Sequence, residues 1–334
     1  MQLKELLTNL RTFSGIRQKR EIQTVAHELA TSYRADDYQN GDDTAVIKSN
    51  NGYDLFASEG FLNAFVERDP WFAGWCGIMV NNSDIAAMGG RATAIVNTVW
   101  GQDNEQMQQL LRGMVAASHA FRIPIVGGHT NLQTQQTHLC VSILGRAKSL
   151  LSSFCAQPGH ALVAAIDLRG AFRQPFLNWN AATEAPHKRL RADLALLPTI
   201  AEQGLAIAAK DISQAGILGT CVMLLESSNV GARIQLQNIP KPPQVSWHDW
   251  LRAFPSFGYL LTTPIDKLDS LLKTFHDRNI DAAQIGKIDA GTSLYVSHEG
   301  QTEEFWDLNK ETLTGMDTNP LKTPTTNTGR AGYA

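Results

Sequence analysis

Hydrophobic and polar positions follow two periods along this chain, and together they predict a mixture of helices and strands. Apolar residues recur at helical spacing between residues 3 and 10 and again between residues 22 and 29. Further along, the pattern predicts helices at residues 71–88 and 104–121, and strands at residues 44–48, 53–58, 93–100, 123–126 and 138–144. This order of elements favours an α+β fold in which helices cover one face of a sheet.

A second domain is predicted after residues 148–159, where Ser, Pro and Gly separate two apolar stretches. The pattern beyond that point predicts a buried strand at 161–166, helices at 190–209, from Asp211 onward and at 267–278, and strands at 258–263 and 293–297. We therefore divide the chain into an N-terminal domain (1–150), a C-terminal α+β domain (151–312) and a tail (313–334). The tail is rich in Thr, Asn, Pro and Gly, and we expect it to be disordered.

Net charge and hydropathy exclude some classes of partner. The 334 residues carry a net charge of −3 with Lys and Arg scattered, whereas a nucleic-acid-binding surface needs a basic patch. No apolar run approaches the roughly 20 residues of a membrane span, and the charged first residues do not resemble a signal peptide. We predict a cytoplasmic protein that binds neither nucleic acid nor membrane.

Two clusters place carboxylates next to apolar runs: Gly41-Asp42-Asp43-Thr44 and Asn82-Ser83-Asp84. A carboxylate against a core needs a cation to neutralise it, and Mg²⁺ bound to nucleotide phosphates is a common partner because it takes oxygen ligands. Each cluster also has a simpler interpretation. The first is compatible with an ordinary turn, and the second with a helix N-cap.

Two further elements favour the interpretation as a phosphate and metal site. Gly127-Gly128-His129-Thr130 follows a short apolar strand, and glycines there would let a backbone approach a phosphate closely. Asp211 precedes a run of small residues at a predicted helix start. The sequence contains neither the GxxxxGK[ST] phosphate loop nor the GxGxxG fingerprint. A nucleotide would therefore be held mainly through metal ions.

These four elements, in this order, resemble the family that contains aminoimidazole ribonucleotide synthetase, thiamine monophosphate kinase, selenophosphate synthetase and a hydrogenase maturation carbamoyl dehydratase. The resemblance extends from about residue 41 to residue 289. It implies a two-domain α+β fold in which the N-terminal sheets of two copies close into a shared barrel, so that the protein is a homodimer. It also implies ATP and Mg²⁺ as cofactors and a small molecule as substrate.

The resemblance assigns roles to particular residues. It implies metal binding by Asp43, Glu59, Asp84 and Asp211, and catalytic roles for His129 and Asp211. It implies nucleotide binding by Asp42, Asp43, Thr44, Asn82, Asp84, Gly127, Gly128 and Thr130. Two positions depart from the family pattern, because Glu59 stands where Asp is usual and His129 stands where thiamine monophosphate kinase has Asp. Neutral histidine suits Mg²⁺ poorly, so His129 is expected to act through hydrogen bonds or proton transfer, the alternative being a turn residue without a role.

The implied activity is ATP- and Mg²⁺-dependent phosphoryl transfer to an oxygen of an unknown metabolite, by a kinase or a synthetase. The alternatives are a catalytically silent nucleotide-binding homologue, and a metal-binding scaffold. Two basic stretches remain. The resemblance implies that the segment with Lys19 and Arg20 folds over the nucleotide, where both residues could touch phosphates, but basic residues at a helix start are usually solvated and we expect that here. The aromatic and basic residues 167–180 match none of these family members, and either receive a small anionic or amide substrate or connect the domains.

Overall fold

Two β-sheets organise the chain. The computed structural model describes residues 2–30, 32 and 38–316. Over that part of the chain, no helix has both the length and the apolar character needed to cross a membrane. The elements before residue 150 are the helices α1 (Leu3–Thr12), α2 (Ser14–Leu29), α3 (Asn63–Arg68), α4 (Pro70–Ala87) and α5 (Glu105–Phe121), and the strands β1 (Ala45–Ser49), β2 (Gly52–Gly60), β3 (Arg91–Gln102), β4 (Ile125–Asn131) and β5 (Gln133–Ala147).

The first sheet has the strand order β1-β2-β5-β3-β4, and helices α4 and α5 cover one of its faces. The helices approach each other closely because glycines face the partner backbone. A Cβ atom on Gly74 would lie 2.0 Å from the carbonyl oxygen of Leu110, and one on Gly113 would lie 1.9 Å from that of Trp71. Helix α4 is therefore buried on nearly all sides, and the predicted sheet with helices on one face is confirmed.

The opposite face of this sheet is open in the single chain. It exposes large apolar side chains from successive strands, with exposed fractions between 38% and 47% for Ile47, Phe56, Val96 and Leu144. Contiguous apolar surface of this kind is typical of a protein interface. Strand β4, which carries the Gly127-Gly128-His129-Thr130 motif, forms an edge of the sheet.

The second sheet organises the C-terminal half. Its elements are the helices α6 (His187–Leu194), α7 (Leu196–Glu202), α8 (Gly216–Ser228), α9 (Trp247–Trp250) and α10 (Leu268–His276), and the strands β6 (Ala161–Ile166), β7 (Ala171–Arg173), β8 (Asn178–Asn180), β9 (Ala208–Asp211), β10 (Gly231–Gln235), β11 (Gly258–Thr263), β12 (Asp281–Asp289), β13 (Ser293–His298) and β14 (Gln301–Asp307). The strand order is β14-β13-β10-β12-β6-β11-β9, and β7 pairs with β8 alone.

Strand β6 is buried on both faces, as its apolar run predicts. Leu162 and Ala164 pack in one core with helix α8, whereas Val163 and Ala165 pack in a second core with helices α7 and α10. Alternate residues of a strand point to opposite faces. Helices therefore cover both sides of the centre of this sheet.

The ends of the chain depart from the predicted domain limits. Helices α1 and α2 contribute Leu6, Leu10 and Ile16 to the core of the C-terminal domain, not to the N-terminal one. At the other end, residues 313–316 belong to the folded domain. The buried carboxylate of Glu226 accepts hydrogen bonds from the backbone N–H groups of residues 313, 314 and 315. Residues 317–334 of the predicted tail lie outside the described residues.

Two predictions for the second domain are wrong. The predicted helix at residues 190–209 ends at Glu202, and Ala208–Asp211 forms strand β9, paired with β11. Asp211 ends this strand, and the helix expected to start at Asp211 begins at Gly216. Strands β7, β8, β10, β12 and β14 were not predicted.

Candidate functional site

A cavity of about 430 Å³ lies between the two domains, and the predicted metal-binding carboxylates line it. Asp43, Glu59 and Asp84 come from the N-terminal half and Asp211 from the C-terminal half. The structure thus brings together four residues that are up to 168 positions apart in the sequence.

Each carboxylate is placed by a different element. Asp43 lies in the loop before β1, Glu59 near the end of β2, and Asp211 at the end of β9. Asp84 lies near the C-terminus of α4, so the alternative of a helix N-cap at this position is excluded. Because helix α4 packs between the first sheet and helix α5, the Asp84 side chain is held in the interior, 5% exposed.

In the protein without a bound ligand, the carboxylates that line the cavity repel one another. Burial, together with repulsion from Asp211, Glu59 and Asp43, raises the pKa of Asp84 well above its usual range. Burial and the charge of Asp43 likewise raise the pKa of Asp211 to about 8, and burial raises the pKa of Glu59. The Oδ2 atom of Asp84 is buried and has no hydrogen-bond partner among the described residues. A cation at this point would relieve both the repulsion and the unsatisfied oxygen.

A lysine that the sequence analysis overlooked lies inside the cluster. Lys210 is 4% exposed, and its Nζ donates to Asp43 Oδ1 over 2.6 Å. The backbone N–H of Asp211 donates to the other oxygen of Asp43 over 3.2 Å. Burial alone would lower the pKa of Lys210, but the charges of Asp43 and Asp42 outweigh it and raise that pKa. The available signal was a pair of adjacent charged residues, Lys210 and Asp211, directly after the small apolar residues of the stretch that became β9.

Asp42 lines the cavity but is engaged elsewhere. Its carboxylate accepts hydrogen bonds from Ser152 Oγ (2.6 Å), from the backbone N–H of Ser153 (2.8 Å) and from Ser153 Oγ. These contacts tie the loop before β1 to the segment that joins the two domains. The carboxylate of Asp42 is thus satisfied by hydrogen bonds from the protein itself. Thr44 is buried, and its Oγ1 has no partner in the part of the chain that the structure describes.

The two basic residues of helix α2 have different environments. Lys19 lines the cavity, and its charge opposes the effect of burial on Glu59, Asp84 and Asp211. Arg20 instead pairs with Glu311 at 2.9 Å and lies over the ring of Trp306. The expectation that both residues are merely solvated is therefore wrong.

The glycine and histidine motif does not reach the cavity of its own chain. Gly127, Gly128, His129 and Thr130 are exposed on edge strand β4, and none of them lines the cavity. Asn82 is buried on α4 and also lies away from the cavity wall.

The donor set fits Mg²⁺ held together with phosphates. Among the described residues, no three His, Cys, Asp or Glu side chains form a group that could hold a metal ion without other ligands. Mg²⁺ commonly uses one or two carboxylates and completes its shell with water and substrate phosphates. Asp84, with an unpartnered buried oxygen, and Asp211 are suited to that role, whereas a closed protein cage is not formed.

Two family models match the chain. The AIR synthase related protein N-terminal domain matches residues 41–147, and the AIR synthase related protein C-terminal domain matches residues 166–299. Together they cover more than half of the sequence. The chain therefore belongs to the AIR synthase-related family, as its motifs indicated.

Two individual relatives match this chain over most of its length. An uncharacterised protein of Synechocystis sp. is 41% identical over 94% of this chain and 98% of its own length. A thiamine-monophosphate kinase of Pyrococcus abyssi is 28% identical over 82% of this chain and 91% of its own length. The family thus includes kinases, but the relative with 41% identity has no assigned activity.

Solved structures confirm the two-domain α+β fold. AaThiL complexed with AMPPCP and TMP matches with a TM-score of 0.63 at 17% identity, covering 86% of this chain and 96% of that one. Thermotoga maritima PurL complexed with ATP matches with a TM-score of 0.67 at 17% identity, covering 88% of this chain. This chain spans about half the length of PurL, since 48% of that protein is covered.

Proposed function

We propose that this protein is an ATP- and Mg²⁺-dependent enzyme that transfers a phosphoryl group to an oxygen of a small molecule. The observation that carries the proposal is the interdomain cavity with Asp43, Glu59, Asp84 and Asp211 on its wall. Buried carboxylates that repel one another are stabilised by a metal–phosphate complex, whose metal ion adds positive charge to that of Lys210 and Lys19 and whose phosphate is the group to be transferred. The kinases in the family support the same activity.

Different residues of the cavity would bind the metal ion and supply positive charge. Asp84 and Asp211 would hold Mg²⁺ together with the phosphates, and Glu59 and Asp43 would add negative charge around it; when bound, the ion offsets the charge of the triphosphate. Lys210 and Lys19 add positive charge at the same end of the cavity. In the transfer, a bond forms between the substrate oxygen and the γ-phosphorus while the bond from that phosphorus to ADP breaks. A hydroxyl substrate releases its proton to solvent.

The test has two parts. A non-hydrolysable ATP analogue should raise the melting temperature only when Mg²⁺ is present, and a panel of small alcohols and amides should contain a compound that raises ADP release above the blank. Analogue binding without ADP release across the panel would favour the catalytically silent homologue instead. A melting temperature that does not respond to analogue plus Mg²⁺ would contradict the proposal as a whole.

We also propose that two copies pair through the open face of the first sheet. That face exposes Ile47, Phe56, Val96 and Leu144, so pairing would remove a large apolar area from water. Light scattering at micromolar concentration is expected to give twice the mass of the chain. Phe56→Lys should shift the protein to the monomer, whereas Val115→Lys, on an exposed part of helix α5, should not.

The proposed roles of Gly127, Gly128, His129 and Thr130 depend on this dimer, because these residues lie on strand β4, away from the cavity of their own chain. Through the paired sheets they would act on the partner's site. Mixing a His129→Ala chain with an Asp211→Asn chain would then restore part of the activity that each variant lacks alone.

A further inference from the structure

The stretch 167–180, which the family pattern does not explain, forms part of the cavity wall. It leaves β6, forms the hairpin β7–β8, and presents Phe176 and Asn178 to the cavity. Backbone hydrogen bonds fix this wall to the next segment. Trp179 N–H donates to the carbonyl of Phe254 (2.8 Å), and Phe254 N–H donates to that of Leu177 (3.3 Å).

The basic residues of this stretch are not available to a ligand. Arg173 pairs with Asp69 at 2.5 Å and lies over the ring of Phe72. Arg169 is paired with Asp167 at 2.7 Å, and Arg189, just beyond the stretch, pairs with the same carboxylate at 2.7 Å. An anionic group therefore finds no free guanidinium here.

The surface that does face the cavity is aromatic. Phe176 packs edge-to-face against Phe65, with ring centroids 5.7 Å apart. Phe61, Phe254 and Pro255 lie on the same cavity. The described residues that line the cavity include two lysines, Lys19 and Lys210. The charges of both oppose the rise in the pKa of Asp211, so both lysines lie close to the carboxylate cluster. The aromatic wall thus suits a flat, uncharged group, since phenylalanine rings stack on rings and do not compensate a charge that is removed from water.

Two polar atoms on this wall lack partners. Asn178 is 2% exposed and lines the cavity, and its Oδ1 accepts no hydrogen bond from any residue that the structure describes. Ser213 also lines the cavity, and its buried Oγ has no partner among the same described residues. A buried carbonyl oxygen without a donor is costly, so native proteins rarely keep one unless a ligand or water completes it. The missing partner of Asn178 is a donor, that is, an N–H or O–H group.

We propose that Phe65, Phe176 and Asn178 form the substrate subsite, and that it takes an uncharged aromatic or heteroaromatic ring bearing an N–H or O–H donor. The proposal rests on the proposed function for the position of this ring next to the phosphoryl-transfer site. Asn178 recognises the donor, and the phenylalanines hold the ring between the domains. Ser213, two residues after Asp211, offers a second hydrogen bond near the carboxylates.

The test measures binding of simple probes by ligand-observed NMR without ATP or Mg²⁺. Benzamide and 2-pyridone, which are uncharged and carry an N–H donor, should bind the parent protein. Benzoate, an anion, and toluene, which lacks a donor, should bind at least about tenfold more weakly, as the loss of one buried hydrogen bond predicts. The same factor is expected for benzamide on Asn178→Leu. Gln174→Leu makes a comparable amide-to-leucine exchange at an exposed position of the stretch, and should leave binding unchanged.

Two results would overturn the subsite: benzoate binding as tightly as benzamide, or no probe binding the parent at all. The affinities of the four probes are ranked on the parent protein, so this part of the test needs no variant. If Asn178→Leu does not fold, Asn178→Ser serves as the smaller change. Since the assay contains no nucleotide, its failure would leave the proposed function intact, and that function is tested separately by ADP release and by the Mg²⁺-dependent shift in melting temperature.

Discussion

Replacing Asp84 or Asp211 with asparagine is expected to lower turnover about 10²-fold or more, the loss typical when one charge-stabilising group is removed from such a site. The same changes should raise the melting temperature of the metal-free protein. Each replaces a carboxyl group whose pKa is raised in the folded cluster, so folding no longer has to keep that group protonated, or charged beside the other carboxylates. Titration with an ATP analogue, with and without Mg²⁺, followed by melting temperature, measures the effect on binding and on stability, and ADP release measures turnover.

Asp211 gives the sharper result of the two, because it belongs to the C-terminal domain and faces the cavity only where the domains meet. Asp266→Asn, at an exposed position, is the matched control and should change neither quantity. An Asp211→Asn protein that binds the metal–nucleotide like its parent, while Asp84→Asn does not, would confine the site to the N-terminal domain.

The same cluster predicts how stability depends on pH. The folded-state pKa of Asp211, about 8, lies above the ordinary value of 3.8, so the folded state binds the proton more tightly than the unfolded chain. Its contribution to stability is therefore complete below about pH 4 and is lost as the pH rises to about 8. The metal-free melting temperature should fall across this interval, and Mg²⁺ with the ATP analogue should reduce that fall. A flat profile in the presence of a chelator would show that the carboxylates do not interact as described.

Local pattern was sufficient for much of the fold. Strand β6 and helix α4 were predicted because long apolar runs leave little choice of environment. Strand β9 was predicted as helix, since its Ala-Ala-Lys sequence has high helix propensity. Its pairing with β11, about 50 residues later, overrides that preference. Strands such as β12 were missed because polar and charged residues interrupt their alternation.

The site was predictable only in part, for a related reason. The carboxylates could be found because a charged residue beside an apolar run is conspicuous in the sequence. Their neutralising partner could not, since Lys210 meets Asp43 across 167 positions. The engagement of Asp42 by Ser152 and the unsatisfied oxygen of Asn178 likewise depend on packing between distant segments, which a one-dimensional pattern does not contain.

Lys210→Met is expected to destabilise the metal-free protein by about 3–5 kcal/mol, the usual cost of removing one partner from a buried ion pair. Asp43 would then remain in the interior, where the backbone N–H of Asp211 is the donor left to it among the described residues. Chemical denaturation in a chelator measures the loss, and Lys267→Met, at an exposed position, controls for the exchange itself.

The stabilisation of Lys210→Met by Mg²⁺ distinguishes two roles of the lysine. If Lys210 supplies the positive charge that a metal ion supplies in the loaded site, Mg²⁺ should stabilise Lys210→Met more than it stabilises the parent, because the freed Asp43 oxygen becomes a ligand. The double variant with Asp43→Asn should recover much of the lost stability, since it leaves no unpaired charge. A Lys210→Met protein that Mg²⁺ stabilises no better than the parent would limit the lysine to anchoring the loop before β1. Recovery in the double variant, together with the added Mg²⁺ response in the single one, would establish Lys210 as a resident cation of the carboxylate cluster.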